Sequence, residues 1–316
     1  MARYQYEPSQ AVAGVACALY SIGFVISVFH IIRQKAWIWL IMAVGIGMEA
    51  AGYGARVASA GDVTQRGVFI IQFCLIILAP VLMAGVIYLV FGRIVFHVVP
   101  AEARTFRLLW VPARWVTPIF VGFDIVALFA QVIGSVMMSG AEPTDPNGPA
   151  KLNRAKNIAM VGVILQLVAF GLFSVVAARF HFTSQRFADD FKQRLQAVPG
   201  DKYVALEGGA ARKYNPVWRR LLYAVNVSCL MILVRSVYRL IDFAEGKNGY
   251  TQKHEYFWYV FDCIPIFMVV VLFTIFPPGA YVPMGWRQPK NQERLATTPS
   301  TDGLVYEMNR HGQPYV

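Results

Sequence analysis

Seven apolar segments, each long enough to cross a bilayer, constrain this chain more than any other feature of its sequence. The bilayer core is ~30 Å thick and needs about 20 apolar residues in a helix, because backbone groups in lipid must be bonded internally. The segments are 11–32, 36–58, 67–93, 116–138, 157–180, 219–243 and 255–276. A mean hydropathy of +0.48, with only 15% charged residues, is too apolar for an ordinary soluble domain. The sequence therefore predicts an all-α integral membrane protein, a seven-transmembrane-helix bundle.

Basic residues are unevenly divided between the segments that connect these spans. The segments after the first, third, fifth and seventh spans hold 17 Lys and Arg, against 7 in the N-terminal segment and the other loops. Because Lys and Arg collect on the cytoplasmic side, we expect the N-terminus outside and the C-terminus in the cytoplasm. Residues 1–280 are predicted to form the membrane domain, with a cytoplasmic loop at 181–218. The polar tail, 281–316, is predicted to be disordered and cytoplasmic.

The predicted cytoplasmic loop begins with an amphipathic stretch, residues 181–198. Phe187, Phe191 and Leu195 recur every four residues among basic side chains, a spacing typical of a helix. Two interpretations stay open: this stretch extends the fifth helix, or it lies along the inner leaflet.

Polar and ionisable side chains interrupt the apolar spans with a shared spacing. In four spans they stand seven residues apart, which is two helical turns and therefore one stripe on each helix. The pairs are Glu49 and Arg56, Asp124 and Gln131, Arg235 and Asp242, and Glu255 and Asp262. Members of a pair are separated by ~10.5 Å along the axis, so their partners must come from other helices or from water.

These stripes suggest a polar cavity inside the bundle, and they leave one alternative. In the predicted orientation most of the charges fall in the middle or outer half of their spans, whereas Asp124 and Tyr88 lie towards the cytoplasm. A cavity lined by several helices would explain why charge is buried despite its cost. The alternative is a closed salt-bridge network that only fixes helix order, with Arg239 and Asp242 as local partners.

The sixth span carries a more specific expectation. Arg235 and Arg239 lie one turn apart within an apolar run, and Arg235 is too deep to reach the interface by snorkelling. We therefore expect both arginines to point inward and to pair with acids of the second and seventh helices. The candidate acids are Glu49, Glu255 and Asp262.

Motifs that the sequence lacks narrow the classes of function. No G-x-x-x-x-G-K-[ST] motif occurs, so we expect no ATPase of its own. The five histidines never stand four residues apart, so neither a metal site nor a cofactor is expected. An enzyme is not expected, although a lipid hydrolase that uses two buried carboxylates is left open. The net charge of +11 is scattered between spans, which favours lipid phosphates over nucleic acid as partners.

Six stretches carry motifs that can be compared with known families. They are EAAGYGAR (49–56), LAPVLMAGVIYLVFGRI (78–94), FDIVALFAQVIG (123–134), GVILQLVAFGLF (162–173), RSVYRLIDFAEG (235–246) and GYTQKHEYFWYVFD (249–262). Together they resemble the fungal Rta-like lipid-translocating exporters, a seven-span family whose founding members were named for resistance to toxic amphiphiles. The resemblance implies a plasma-membrane location and the export, or leaflet-to-leaflet movement, of amphiphiles, with porphyrin handling in some relatives.

The resemblance and the polar stripes together give a set of candidate substrate-binding residues. They are Glu49, Tyr53, Arg56, Gln72, Tyr88, Asp124, Gln131, Gln166, Arg235, Tyr238, Arg239, Asp242, Glu255 and Asp262. Asp242 departs from the family's pattern, which has glutamate at this position. The acids are expected to meet a cationic amine, and the arginines to balance those acids or to hold a phosphate.

The expected function is translocation or export of amphipathic lipids or lipid-like toxins through the polar cavity. Sphingoid long-chain bases, sterol-like molecules and porphyrin-like molecules are the substrate classes considered. The alternative is a seven-span lipid sensor that signals through the 181–218 loop and the tail. Membrane lipids or an amphipathic small molecule are the expected partners, and both a homo-oligomer and cytoplasmic regulators of the tail are left open.

Overall fold

Seven long helices form the molecule over the residues that the computed structural model describes, which are 9–61, 66–99, 113–140, 148–198, 202–207, 210–213, 217–245 and 250–282. The first six are α1 (Gln10–Gln34), α2 (Leu40–Gly61), α3 (Arg66–Val98), α4 (Ala113–Gly140), α5 (Gly148–Arg194) and α6 (Trp218–Glu245). The seventh, α7, joins a helical turn (Glu255–Trp258), a π-helical turn (Tyr259–Cys263) and a longer helix (Ile264–Ile275). All seven are long and apolar enough to cross a membrane, so the predicted seven-helix bundle is confirmed.

Local sequence signals set the first helix and its connection to the second. The Ser9 side chain accepts a hydrogen bond from the Val12 amide and caps the start of α1. Lys35 ends α1 in the left-handed conformation, with φ of 52°, and its amide donates to the Ile31 carbonyl. A single 3-10 turn, Trp37–Trp39, then leads directly into α2. The connection is therefore short, and α1 and α2 pack as antiparallel neighbours.

Helix α3 lies near the centre of the bundle. Each spanning helix packs on the next along the chain, α1 returns to α7, and α3 also contacts α6. Small residues allow close approach between neighbouring helices of the bundle. A Cβ added to Gly52 of α2 would lie 2.7 Å from the Ile76 side chain of α3. A Cβ added to Gly134 of α4 would lie 2.6 Å from the Ala159 backbone of α5.

A π-helical turn interrupts α7 at Tyr259–Cys263 and ends two residues before Pro265. Proline has no backbone N–H and disturbs the hydrogen bonds of the preceding turn, and π turns occur often at functional sites. The carbonyl of Cys263 accepts a hydrogen bond from the Tyr20 hydroxyl of α1 at 2.9 Å. Asp262 lies within this irregular turn and is buried.

Helix α5 continues well beyond the predicted end of the fifth span, to Arg194. Of the two interpretations of residues 181–198, the structure thus supports the helix extension, as far as Arg194. Three antiparallel strands that the sequence did not predict follow in the order β1 (Leu195–Val198), β2 (Lys202–Glu207) and β3 (Ala210–Lys213). The 181–218 segment therefore contains helix and sheet as well as connections. From residue 283 onward the predicted tail lies outside the described residues.

Candidate functional site

Charged residues of α2, α6 and α7 meet in one buried group, which we call the charge cluster. It contains three arginines and four acids: Arg56, Arg235, Arg239, Glu49, Asp242, Glu255 and Asp262. Six of the seven are at most 6% exposed, and Glu255 is partly buried. The stripes predicted from the seven-residue spacing on α2, α6 and α7 therefore do converge inside the bundle.

Asp262 receives both arginines of α6. Its Oδ1 accepts hydrogen bonds from Nε of Arg235 at 2.7 Å and from Nε of Arg239 at 2.9 Å. Its Oδ2 accepts from Nη2 of Arg239 at 2.9 Å, which makes that pair bidentate. Nη2 of Arg235 also donates to the Ile76 carbonyl of α3 at 2.8 Å. The expectation that both arginines point inward and pair across the bundle is confirmed, with Asp262 as their hydrogen-bonding partner.

A second ion pair ties the start of α7 to α1 and α2. Nη2 of Arg56 lies 3.0 Å from Oε1 of Glu255, and Nε of Arg56 donates to the Tyr259 hydroxyl at 3.2 Å. The other oxygen of Glu255 accepts from the Ser9 amide at 3.0 Å. Glu255 was a candidate partner for the α6 arginines, but it pairs with Arg56 instead.

Aromatic rings lie between these two ion pairs. The ring centre of Trp258 is 4.3 Å from Cζ of Arg239 and 5.0 Å from Cζ of Arg56, so both guanidinium groups make cation–π contacts. Tyr53 stacks on Tyr20 with ring centres 5.5 Å apart. Within the described part of the chain, Nη1 of Arg239 and Nε1 of Trp258 are buried without a hydrogen-bond partner. Two nitrogen atoms inside the cluster, with three N–H groups between them, thus donate no hydrogen bond to a described residue.

Glu49 differs from the other acids of the charge cluster. It is 1% exposed and interacts electrostatically with Arg235, Arg239 and Asp262. Among the residues that the structure describes it makes no hydrogen bond. Asp242, by contrast, accepts from the Thr251 hydroxyl at 3.4 Å. Because a buried carboxylate without hydrogen bonds costs free energy, Glu49 is the acid of the charge cluster whose burial the fold explains least.

The remaining candidate residues lie outside the charge cluster. The Tyr88 hydroxyl of α3 donates to Oδ2 of Asp124 in α4 at 2.7 Å. Nε2 of Gln131 in α4 donates to Oε1 of Gln166 in α5 at 2.7 Å. Gln72 is buried in α3, and Tyr238 of α6 stacks on Phe261 of α7 with ring centres 6.0 Å apart. Asp124 and Gln131, predicted to form one stripe, thus have separate partners.

The structure describes a small cavity away from the charge cluster, between α1, α2 and α7. Its lining includes Ser27, His30, Trp39 and Thr274, and its volume of about 10 Å³ suits a single water molecule. Within the charge cluster itself the ionic groups contact one another directly, as the closed-network alternative expects. A larger polar cavity there stays a prediction.

Sequence reasoning missed two aromatic residues of the charge cluster. Trp258 stands four residues before Asp262, and Tyr259 stands four after Glu255, so each shares a helix face with an acid. The signal that could have found them is the aromatic run YFWY between these acids.

Relatives are known for most of the chain. A family model described as "RTA1 like protein" matches residues 42–284. The chain is 30% identical over 228 residues to Protein RTM1 of Saccharomyces cerevisiae, covering 72% of this chain and 63% of the relative. It is 30% identical over 231 residues to Protoporphyrin uptake protein 1 of the same species, covering 72% and 64%. It is also 25% identical over 271 residues to the Sphingoid long-chain base transporter RSB1 of that yeast, covering 83% and 69%.

The chain spans less than two thirds of the length of Protein RTM1 and of Protoporphyrin uptake protein 1. No solved structure matches the chain.

Proposed function

Because the chain belongs to the RTA1-like protein family, we propose that it moves amphipathic lipids or lipid-like molecules between leaflets or out of the membrane. Two relatives support this substrate class, since one is named for transport of sphingoid long-chain bases and another for uptake of protoporphyrin. The chain itself is a multi-pass membrane protein. We propose a plasma-membrane location, which the resemblance to the family implies, and an N-terminus outside, which the distribution of basic residues in the loops favours.

The charge cluster is the observation that carries this proposal. Its acids and arginines are buried together inside the bundle. Glu49 is the acid of this cluster with no hydrogen bond among the described residues. A lipid amine beside Glu49 would meet its carboxylate while the tail of the lipid stays among apolar side chains, so that the headgroup avoids the hydrocarbon core.

The N–H groups of the cluster that have no hydrogen-bond partner among the described residues could bind the oxygen atoms of a lipid headgroup. Nη1 of Arg239 can donate two hydrogen bonds and Nε1 of Trp258 can donate one. The hydroxyl groups of a sphingoid base are acceptors as well as donors. We therefore favour an amino-alcohol headgroup, in which the amine meets an acid and the oxygens meet these N–H groups.

Reconstitution of the purified full chain into liposomes tests the proposal. A labelled sphingoid base added to the outer leaflet should reach the inner leaflet faster than in protein-free vesicles. Glu49→Gln should slow this movement, because it removes the acid that would meet the amine. The matched control is Glu245→Gln, which neutralises an exposed acid of the same bundle. If the chain binds the base but does not speed its movement, translocation is wrong and a lipid sensor takes its place.

A further inference from the structure

A second buried acid, Asp124 of α4, has surroundings unlike those of the charge cluster. Its side chain is only 2% exposed. Oδ2 accepts the hydrogen bond from Tyr88, whereas Oδ1 is buried with no partner. In the described part of the chain no cation pairs with this carboxylate. An acid in this setting lacks the compensation that buried charge requires, so either a proton or a visiting cation must supply it.

Aromatic rings enclose the tyrosine that holds Asp124. The ring centre of Tyr88 lies 5.8 Å from that of Phe120, 5.7 Å from Phe170 and 4.4 Å from Phe173. Phe120 stands four residues before Asp124, on the same face of α4. We call Tyr88, Phe120, Phe170 and Phe173 the aromatic box. Ring faces attract organic cations, and a carboxylate supplies the opposite charge.

Open space lies on α3 at Gly85, one turn from the tyrosine of the aromatic box. Gly85 stands one turn before Tyr88 on α3, and a Cβ added there would meet no atom within 4 Å. Gly92, two turns further along, lies only ~20° away around the helix, and a Cβ there would lie 3.1 Å from Thr117 of α4. Gly85 therefore faces the same side as Gly92, towards α4. Gly85 is half-buried, so the open space at its Cβ lies near the helix surface.

From this arrangement we propose that Asp124 and the aromatic box bind the cationic amine of a single-chain amphiphile, at a site separate from the charge cluster. The ammonium group pairs with Oδ1 of Asp124 and lies against the rings, while the alkyl tail passes through the gap at Gly85. A zwitterionic phospholipid fits less well, because no described cation beside Asp124 would meet its phosphate.

The choice of a single-chain amine as the ligand rests on the proposed transport function. Binding of such an amine can nevertheless be measured without measuring transport. The full chain is placed in nanodiscs and titrated with a fluorescent long-chain primary amine and with its neutral N-acetyl counterpart. The wild-type chain should bind the amine more tightly than the N-acetyl form. In a Glu49→Gln background, which removes the amine site proposed in the charge cluster, Asp124→Asn should weaken amine binding at least tenfold and leave the N-acetyl form unchanged. The control Glu245→Gln in the same background should bind both probes as that background does. Equal amine affinity with and without Asp124→Asn in this background would overturn the site.

A second variant tests the site without touching the acid. Gly85→Leu fills the gap and should weaken amine binding several-fold. Gly122→Leu is its matched control, because a Cβ there also meets no atom within 4 Å but lies on an exposed face of α4. Equal binding by these two variants and the wild type would overturn the proposed route. If Asp124→Asn does not fold, the glycine pair decides the question alone.

The two proposals fail separately. Amine binding that depends on Asp124, in a chain that does not speed transbilayer movement, supports the site and rejects transport. Faster movement combined with binding that ignores Asp124 rejects the site and keeps transport.

Discussion

Asp262 and Asp124 are both almost fully buried in the same bundle, yet their partners are opposite in kind. Asp262 accepts three hydrogen bonds from two arginines. Asp124 accepts one from a tyrosine, and one of its oxygens has no partner within the described residues. Burial of an acid in a membrane protein therefore does not by itself indicate a ligand site. An acid with its charge compensated fixes helices against each other, whereas an acid without compensation can receive a cation.

The strongest way to break this comparison is to make the same substitution at both acids. Asp262→Asn leaves two buried arginines without their carboxylate, and breaking a buried ion pair costs about 3–5 kcal/mol. Asp124→Asn keeps a hydrogen-bond acceptor for Tyr88 and removes a charge that has no counter-ion. We expect Asp262→Asn to lower the folded yield and the melting temperature in detergent strongly, and Asp124→Asn to change them little. Similar losses for both variants would show that the two settings do not differ in energy.

Arg235→Met gives a smaller loss, because Arg239 still holds Asp262. The substitution removes one hydrogen bond to the carboxylate and one to the Ile76 carbonyl, and hydrogen bonds to charged groups contribute about 1.5–3 kcal/mol. Thermal unfolding of Arg235→Met, of Asp262→Asn and of the double variant measures their coupling. In the double variant we expect part of the loss to be restored. Strictly additive losses would mean that the pair does not stabilise the fold.

The helices and the inward arginines could be predicted because lipid imposes strong rules. Apolar length sets the spans, and charge is forced away from the hydrocarbon. The choice of partner could not be predicted, because it depends on the rotation and depth of each helix. Glu255 and Asp262 share a stripe seven residues apart, yet Glu255 pairs with α2 and Asp262 with α6. The π-helical turn at Tyr259–Cys263 begins after Glu255 and contains Asp262, so it changes the register of that stripe.

The hydrogen bond between Tyr88 and Asp124 gives a further test of the difference between Asp124 and Asp262, with a smaller expected effect. Its hydroxyl makes one hydrogen bond to Asp124, and a typical hydrogen bond contributes about 1 kcal/mol net. The coupling between Tyr88→Phe and Asp124→Asn should therefore be about 1 kcal/mol, below that between Arg235 and Asp262. Thermal unfolding of the two single variants and the double variant supplies the value. A coupling as large as that of the ion pair would place Asp124 among the residues that hold the fold together.

Substitution of Glu49 is expected to cause the smallest change in stability. Glu49 shares one property with Asp262 and another with Asp124. Glu49 lies within the charge cluster, as Asp262 does. Its carboxylate accepts no hydrogen bond from a described residue, and in this it resembles the unpartnered Oδ1 of Asp124. Glu49→Gln should leave the melting temperature unchanged or slightly higher, because a carboxylate buried without hydrogen bonds costs free energy in the folded state. The same variant should slow the movement of a long-chain base in liposomes. A clear fall in melting temperature would instead assign Glu49 to the structural ion pairs, and its burial would then need no ligand.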